Sequence, residues 1–431
     1  MAEGMGGAIC MFGWCMEEME FTYMGEVDTR AEGMLPHSTA QHSTAQHSTA
    51  TSLSASGSTA STSTSTHSSA STHSFFPSST QPASRNLAPS SASRASLSNR
   101  PEDKYVKIPA LIHATRVGYT YLSERSQEPG SDYDPDTNIF FEPFRAALER
   151  INHTHLTIHQ ARDIVGKLRR MLDGDDVGRA FFEALLSGVD GVRLVDFAQL
   201  ENNTFQVLTE LPYANGENSF RPDITFLVNG MPLGFMEVKR QNNKDGILAE
   251  RERMFQRFKN PIYRRFANIT QLMAFSNNQE YDDEDRYHLQ GSFYASSAYG
   301  KMKFNHFREE HEDEMAALVA PRNPAIEQEV CTDTNLPQYY GSAEFESSLE
   351  PSTPANRIIT SLFSPKRFLF LLQYGIAYVE RADEKTGIKT TEKHVMRYPQ
   401  LFATFAVRAA LDSGTQKGVI WLIRRRACRS S

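Results

Sequence analysis

The sequence lacks several features that would place it in a broad class at once. It has 431 residues but no stretch matching the phosphate loop G-x-x-x-x-G-K-[ST], so nothing in it predicts a cradle for ATP phosphates. Its net charge is −7, which excludes a globally basic nucleic-acid-binding protein and leaves only local basic surfaces. The longest apolar run, Phe368–Val379, is too short to cross a membrane and contains Gln373. We therefore expect no membrane partner.

Cysteine is also scarce. The four cysteines are Cys10, Cys15, Cys331 and Cys428, which are scattered and lack metal-ligand spacing. This usage is typical of a reducing compartment, so we predict a cytoplasmic protein. A secretory signal peptide is not expected, because Glu3 stands where basic residues should be and Glu17 and Glu18 end the apolar stretch early.

Residues 1–102 are unlike the rest of the chain. Ser, Thr, Ala and His dominate from Pro36 to Ser98, and the pentad HSTAQ at His37 recurs at His42 and returns as HSTAT at His47. Such a composition buries too little apolar surface to offset its ordering entropy, which predicts disorder. The histidines could bind a metal, but no fold is expected to hold them in place.

From Tyr105 onward the pattern is that of a globular α/β protein. Apolar residues at helical spacing predict helices, and short apolar runs predict strands. The predicted helices are Pro143–Ile151, Ile158–Leu172, Asp176–Leu186, Gly246–Phe258, Ile358–Tyr378 and Tyr398–Asp412; the predicted strands are Val192–Phe197, Thr204–Thr209, a hairpin around Asn229-Gly230, Ile269–Ser276 and Gly418–Ile423. This order favours a small mixed sheet flanked by helices.

The strongest chemical signal is RPDITFLVNGMPLGFMEVKR, residues 221–240. Asp223 opens one apolar strand, and Glu237 and Lys239 lie within the next. Mg²⁺ prefers oxygen ligands and keeps several waters, so the carboxylates of Asp223 and Glu237 with the carbonyl of Val238 predict a metal site. Lys239 shares a strand face with Glu237, and its ammonium can orient water or offset charge growing on a phosphate. The stretch therefore predicts a metal-dependent phosphodiesterase with Asp223, Glu237 and Lys239 as catalytic residues.

The strand register decides whether this site forms. A two-residue turn at residues 229–230 in a regular hairpin would place Asp223 on the face away from Glu237. We therefore predict a three-residue loop that sets Val228 opposite Pro232, with a positive-φ bulge in the loop. Only a shift of this kind lets Asp223 face Glu237.

The same stretch resembles the nuclease motif of type I restriction enzyme R subunits, members of the PD-(D/E)xK nuclease superfamily. The resemblance continues through GILAERERMFQRF, NITQLMAFSNNQEYDDED, QGSFYASSAYGK and KHVMRYPQLFAT, and covers about Asp103 to Trp421. It implies an α/β fold with a PD-(D/E)xK nuclease-like mixed sheet flanked by helices. The family's metal-binding and catalytic positions fall on Asp223, Glu237 and Lys239.

The resemblance also implies a division of the chain. After the disordered segment 1–102, it implies an endonuclease domain at 103–280, an acidic connector region at 281–355, and a helical fragment of a helicase-like motor at 356–431. In that family a strand like GVIW leads into a phosphate loop, whereas here LIRRRACRSS follows. We therefore expect a form truncated before its ATP-binding motor. Gln400 resembles a glutamine that touches adenine in such motors, although burial in a helix is its simpler role.

R subunits cut double-stranded DNA in a complex with methyltransferase and specificity subunits, using Mg²⁺ for cleavage and ATP for translocation. For this chain the resemblance implies an intact Mg²⁺ site with weak or absent cleavage on its own. We expect DNA contacts from Arg221, Arg240 and Lys244, with Arg251 and Arg257 as further candidates. Two alternatives stay open: a catalytically silent remnant that only binds DNA or a partner subunit, and a PD-(D/E)xK enzyme without a motor, such as a repair exonuclease.

Overall fold

The computed structural model describes residues 20–23, 102–123, 133–213, 220–281, 288–299, 302–382, 389–415, 418 and 420–423. Most of the predicted disordered segment, including the HSTAQ repeats, lies outside these residues, as do Cys10, Cys15 and Cys428. Glu20–Tyr23 is an exception to the predicted disorder, because it forms a strand that pairs antiparallel with Ile420–Ile423. The second of these strands confirms the strand predicted near the C-terminus.

The described part of the chain contains eleven strands and twelve α-helices. The strands are β1 Glu20–Tyr23, β2 Thr120–Tyr121, β3 Phe205–Thr209, β4 Ile224–Val228, β5 Met231–Val238, β6 Leu272–Ser276, β7 Ser292–Ala295, β8 Asn305–His306, β9 Ile376–Ala382, β10 Lys389–Val395 and β11 Ile420–Ile423. The helices are α1 Ile108–Arg116, α2 Phe141–Asn152, α3 Ile158–Leu172, α4 Arg179–Ser187, α5 Gly246–Lys259, α6 Arg264–Ile269, α7 Glu312–Ala317, α8 Pro324–Asp333, α9 Ala343–Ser348, α10 Pro354–Ile358, α11 Pro365–Tyr374 and α12 Tyr398–Asp412. Two π-helical turns, Asp103–Lys107 and Ile359–Phe363, directly precede α1 and follow α10. None of the described helices is long and apolar enough to cross a bilayer.

Seven strands form the central sheet, in the order β2-β3-β4-β5-β6-β7-β8. β2 runs parallel to β3 and β5 runs parallel to β6, whereas the other neighbours are antiparallel. Because β5 and β6 are parallel, their carboxyl ends meet at one edge of the sheet, and residues 237–239 lie at that edge. The mixed sheet and its flanking helices confirm the predicted α/β class.

Each face of the sheet carries its own apolar core. On the first face, Phe226 of β4 stacks on Phe363 with ring centroids 4.2 Å apart, and Met236 of β5 belongs to the same cluster. On the second face, Phe235 of β5 packs with Phe266 of α6, and α5 adds Met254 and Phe258 to that cluster. Burial on both faces explains why β4 and β5 are apolar at nearly every position rather than alternating, with Thr225 and Glu237 as the exceptions.

Helix predictions succeed where one apolar stripe runs without interruption. The predicted helix Ile158–Leu172 has these bounds in the structure, and Thr157 and Gln160 form a capping box that defines its start. The predicted helix Tyr398–Asp412 also has these bounds in the structure. There Gln400 closes the first turn, since its side-chain oxygen accepts a hydrogen bond from the backbone N of Arg397 at 2.9 Å.

The predicted strand Val192–Phe197 is wrong. Val189 and Val192 form one isolated bridge around Asp190 and Gly191, whose φ angles are +51° and +78°. The following residues then turn, because the Asp196 carboxylate accepts hydrogen bonds from two backbone N–H groups downstream. Apolar composition alone therefore suggested a strand where local side-chain hydrogen bonds form a turn.

The predicted helix Ile358–Tyr378 is also wrong as a single element. Ser364 is extended, with ψ 136°, and Pro365 then starts α11, because a proline disfavours helical backbone in the residue before it. Gly375 ends α11, and β9 begins at Ile376. The apolar run thus divides into two helices and a strand.

The sheet continues past the expected domain boundary at residue 280. β7 pairs with β6, and β8 pairs with β7, so residues 292–306 complete the same sheet. Beyond residue 356, Phe363 and Phe368 lie in the apolar core of the first face. The segments expected to form a connector and the start of a motor therefore pack directly on the central sheet.

Candidate active site

A β-bulge in the β4–β5 hairpin decides which side chains meet. The turn has two residues, Asn229 and Gly230, with φ +52° and +74°, and it pairs Val228 with Met231. The predicted three-residue loop, with Val228 opposite Pro232, is therefore wrong. The predicted shift does occur, but one step further along the strands, between Phe226 and Leu227.

The bulge exchanges the two faces of β5. Before it, Met231 and Leu233 point into the first-face core; after it, Met236 and Val238 do so. Glu237 therefore points to the second face. Without the extra residue of the bulge, Glu237 would point into the first-face core.

Asp223 immediately precedes β4 and meets the end of β5 as a result. Ile224 pairs with Met236, which brings Asp223 level with Glu237. The Asp223 carboxylate also accepts a hydrogen bond from the backbone N of Val238 at 2.9 Å. The two carboxylates predicted to bind metal thus lie together on one face, as the site requires.

Lys239 lies at the centre of a group of carboxylates. Its Nζ is 3.4 Å from Glu237 and 3.9 Å from Asp223. It is also 3.3 Å from Glu250 of α5 and 3.5 Å from Glu102. We call Glu102, Asp223, Glu237, Lys239 and Glu250 the carboxylate–lysine cluster. It combines four acidic side chains with one base at the carboxyl end of β5.

Burial and charge act in opposite directions on these groups. Burial raises the pKa of Glu237 well above its usual value, and the Asp223 carboxylate raises it further, while Lys239 partly offsets both. Burial alone would lower the pKa of Lys239, but the carboxylates of Glu237, Asp223, Glu250 and Glu102 outweigh it and raise the pKa. The lysine is therefore held as a cation. The pKa of Glu102 is raised mainly by burial.

The arrangement of oxygen atoms fits a hard divalent cation. Glu237 is 5% exposed, and its Oε1 has no hydrogen-bond partner, so a buried carboxylate oxygen lacks a compensating group. Within the described residues, no three His, Cys, Asp or Glu side chains are arranged as a metal site by themselves. A metal here would need a backbone carbonyl and water beside Asp223 and Glu237, a donor set that suits Mg²⁺.

The third predicted ligand, the carbonyl of Val238, has a competing partner. It accepts a hydrogen bond from Lys239 Nζ at 2.7 Å. The carbonyl lies beside both carboxylates, as predicted, but in this conformation the lysine engages it. A metal bound through Val238 requires the ammonium to move toward its other partners.

Sequence reasoning missed two members of the cluster, Glu102 and Glu250. Glu250 had a signal, because it occupies a position in the apolar stripe of α5 between Ile247 and Met254, and it is 1% exposed. A carboxylate in an apolar stripe needs a buried partner. Glu102 precedes the first π-helical turn and lies far from the motif in sequence, so no local pattern marks it.

The predicted DNA-contacting residues differ in whether they already have partners within the protein. Arg221, Arg240 and Lys244 are exposed and make no ion pair within the described residues. Arg257 lies 3.8 Å over the Phe220 ring and 3.4 Å from Glu250. The first three cations are therefore available to a phosphate backbone, whereas Arg257 already has protein partners.

Comparison with known proteins finds a family match in the central part of the chain. Residues 99–288 match the family described as type I restriction enzyme R protein N terminus. Over these residues the chain is similar to that family. The matched range contains all five members of the carboxylate–lysine cluster and confirms the resemblance seen in the sequence.

Three curated relatives carry matching names. One is named for the MjaVIIP type I restriction endonuclease subunit of Methanocaldococcus jannaschii; it is 24% identical over 236 residues, covering 53% of this chain and 18% of the relative. A second, from the same organism, is named for MjaIXP and is 28% identical over 36% of this chain and 17% of the relative. The HindI endonuclease subunit of Haemophilus influenzae is 29% identical over 30% of this chain and 14% of the relative. This chain thus spans less than a fifth of each relative's length.

Proposed function

We propose that the chain provides the Mg²⁺-dependent DNA-cleaving part of a type I restriction R subunit, with a PD-(D/E)xK nuclease site. One observation carries the proposal: the bulge in β5 brings Asp223, Glu237 and Lys239 to one face at a strand end, and Glu237 Oε1 lacks a partner there. The family match to residues 99–288 supports it.

The roles of the side chains follow from their positions. Asp223, Glu237 and the Val238 carbonyl would hold the cation, which polarises a phosphodiester and lowers the pKa of an attacking water. Lys239 remains charged and places its ammonium where negative charge grows on the phosphate. The low exposure of Glu237 and Lys239 limits bulk water around them and strengthens these interactions.

The substrate and partners in this proposal are double-stranded DNA and the methyltransferase and specificity subunits of a type I complex. Arg221, Arg240 and Lys244 would bind DNA phosphates without reading sequence. The DNA sequence specificity then lies in another subunit. A cytoplasmic location follows from the same proposal.

The test is metal-dependent nicking of supercoiled plasmid together with Mn²⁺ binding measured by titration calorimetry. Wild type should bind Mn²⁺ and nick DNA, even if slowly, and EDTA should stop the nicking. Glu237→Gln should lose Mn²⁺ binding and at least about 100-fold in nicking rate. Glu201→Gln is a matched control, because Glu201 is exposed near the turn end of the β4–β5 hairpin.

A second candidate function is a catalytically silent module that binds DNA or a partner subunit. The observation in its favour is that the Lys239 ammonium already has partners without any metal, because it pairs with the carboxylates of the cluster and donates to the Val238 carbonyl. A folded wild-type protein that binds DNA, but binds no Mn²⁺ and nicks no plasmid, would favour this function. Nicking that survives Glu237→Gln would belong to a contaminant.

A further inference from the structure

Glu250 is a buried carboxylate that lies in contact with three cations. It lies in the first half of α5, and its side chain is 2% exposed. One of its oxygens lies 3.3 Å from Lys239 Nζ and 2.5 Å from Arg253, and the other lies 3.4 Å from Arg257. A buried charge is costly unless it is paired, so the three cations offset the cost of burying the Glu250 carboxylate.

The partners of Lys239 fall into two groups. On the strand side are Glu237, Asp223 and the Val238 carbonyl, the atoms proposed to bind the metal. On the other side are Glu250 and Glu102. A cation bound by the strand-side oxygens would take them away from the ammonium and would also repel it.

Glu250 is the better placed of the two remaining partners. The Glu102 side chain is 27% exposed, whereas that of Glu250 is 2% exposed. Arg253 and Arg257 lie on the same helix and pair with the Glu250 carboxylate, and that helix packs on the second face of the sheet. Glu250 can therefore keep the ammonium close to the site when the strand-side oxygens serve the metal.

We propose that Glu250 is a positioning residue that holds the Lys239 ammonium beside the metal-bound phosphate. The inference rests on the proposed nuclease function and deepens it. Glu250 itself neither touches DNA nor binds the metal. Its effect on cleavage passes through Lys239.

A double-mutant cycle tests this dependence, with plasmid nicking and Mn²⁺ calorimetry as readouts. Glu250→Gln keeps the side-chain volume but removes its charge, and it should lower the maximal nicking rate at least about tenfold. The DNA concentration at half-maximal rate and Mn²⁺ binding should stay within about twofold of wild type. Glu252→Gln, an exposed position on the same helix, is the matched control and should nick as wild type does.

The decisive comparison is with Lys239→Gln. If Glu250 acts through Lys239, the double variant should nick no more slowly than Lys239→Gln alone. Effects that multiply would show an independent structural role and overturn the inference. A wild-type rate for folded Glu250→Gln would also overturn it.

A conservative variant covers failure to fold. Glu250→Asp retains the charge but withdraws it by one methylene, so it should nick faster than Glu250→Gln and more slowly than wild type. If Glu250→Gln does not fold, an unchanged nicking rate in Glu250→Asp overturns the inference. If wild type neither binds Mn²⁺ nor nicks DNA, the proposed function itself fails and the inference falls with it. If wild type nicks DNA and Glu250→Gln nicks it at the same rate, only the inference is overturned.

Discussion

Two buried lysines of this protein, Lys239 and Lys393, have opposite surroundings. They are 8% and 5% exposed, respectively. Lys239 lies among four carboxylates at the end of β5. Lys393, on β10, has no carboxylate within ion-pair distance in the described residues; its Nζ donates to the Thr270 carbonyl at 2.8 Å and to the Ser297 hydroxyl at 3.2 Å.

The difference shows that burial alone does not decide the charge of a lysine. Burial would lower the pKa of both, but carboxylates raise that of Lys239, whereas the pKa of Lys393 falls to about 7. Lys239 is therefore a permanent cation suited to a phosphate site. Lys393 instead connects the β9–β10 hairpin to residues flanking the central sheet, through hydrogen bonds to the neutral oxygens of Thr270 and Ser297.

The largest expected effect comes from removing the lysine of the cluster. Lys239→Met leaves buried carboxylates without their shared cation, and should destabilise the fold by about 3–5 kcal/mol at pH 8. Because the remaining charges repel one another, acidification that protonates a carboxylate should recover part of the loss. Urea unfolding at pH 8 and pH 5.5 measures this. A loss no larger than that of Lys393→Met would remove the distinction between the two lysines.

The second prediction concerns the pH dependence due to Lys393. Its pKa is about 7 in the folded protein and 10.5 as the usual value, so between these pH values the unfolded chain binds a proton that the folded chain does not. Wild-type stability relative to Lys393→Met should therefore rise with pH, by at most about 1.4 kcal/mol per unit, and level off below pH 7.

Unfolding of wild type and Lys393→Met from pH 6 to 10 gives the difference directly. The subtraction removes groups that titrate in both proteins. The Asp176 carboxylate acts against burial, because its charge favours the protonated form of Lys393. A flat difference would show that Lys393 stays charged despite its burial.

Much of the geometry of the candidate site could be predicted from sequence because its main residues are close together in the chain. Asp223, Glu237 and Lys239 lie within one hairpin, where strand alternation and turn geometry restrict the facing side chains. The same logic predicted that the register must shift. It placed the shift in the turn, whereas Asn229 and Gly230 keep the two-residue turn that this dipeptide favours. No local pattern marks the position inside the strands where the extra residue is accommodated.

The remaining partners depend on long-range packing. Glu102 lies 137 positions from Lys239 in sequence, at the start of the π-helical turn that precedes α1, and no local pattern predicts such a contact. Lys393 likewise looks like one charged residue in a polar strand, KTTEKHV, until the hairpin docks on Thr270 and Ser297. Helix periodicity was reliable where one apolar stripe ran without interruption, with or without a side-chain cap, and failed where Pro365 divided an apolar run.

A smaller effect should follow from weakening the neutral contacts of Lys393. The Ser297 hydroxyl accepts from Lys393 and donates to the Thr270 carbonyl at 2.9 Å. Ser297→Ala removes one acceptor from a buried amine, and should cost about 1 kcal/mol. Thermal unfolding measures the loss. A change above about 3 kcal/mol would show that the hydroxyl matters beyond one hydrogen bond.

The smallest effect is expected at the exposed margin of the carboxylate–lysine cluster. Glu102 lies 3.5 Å from Lys239 Nζ, but its side chain is 27% exposed, so water and salt screen the pair. Glu102→Gln should change stability by less than about 1 kcal/mol, and 0.5 M salt should reduce the difference further. Unfolding in low and high salt tests both points. Since burial also raises the pKa of Glu102, neutralising it removes a desolvation cost that opposes the lost attraction. A salt-insensitive loss as large as that of Lys239→Met would place Glu102 among the fully buried partners of the lysine.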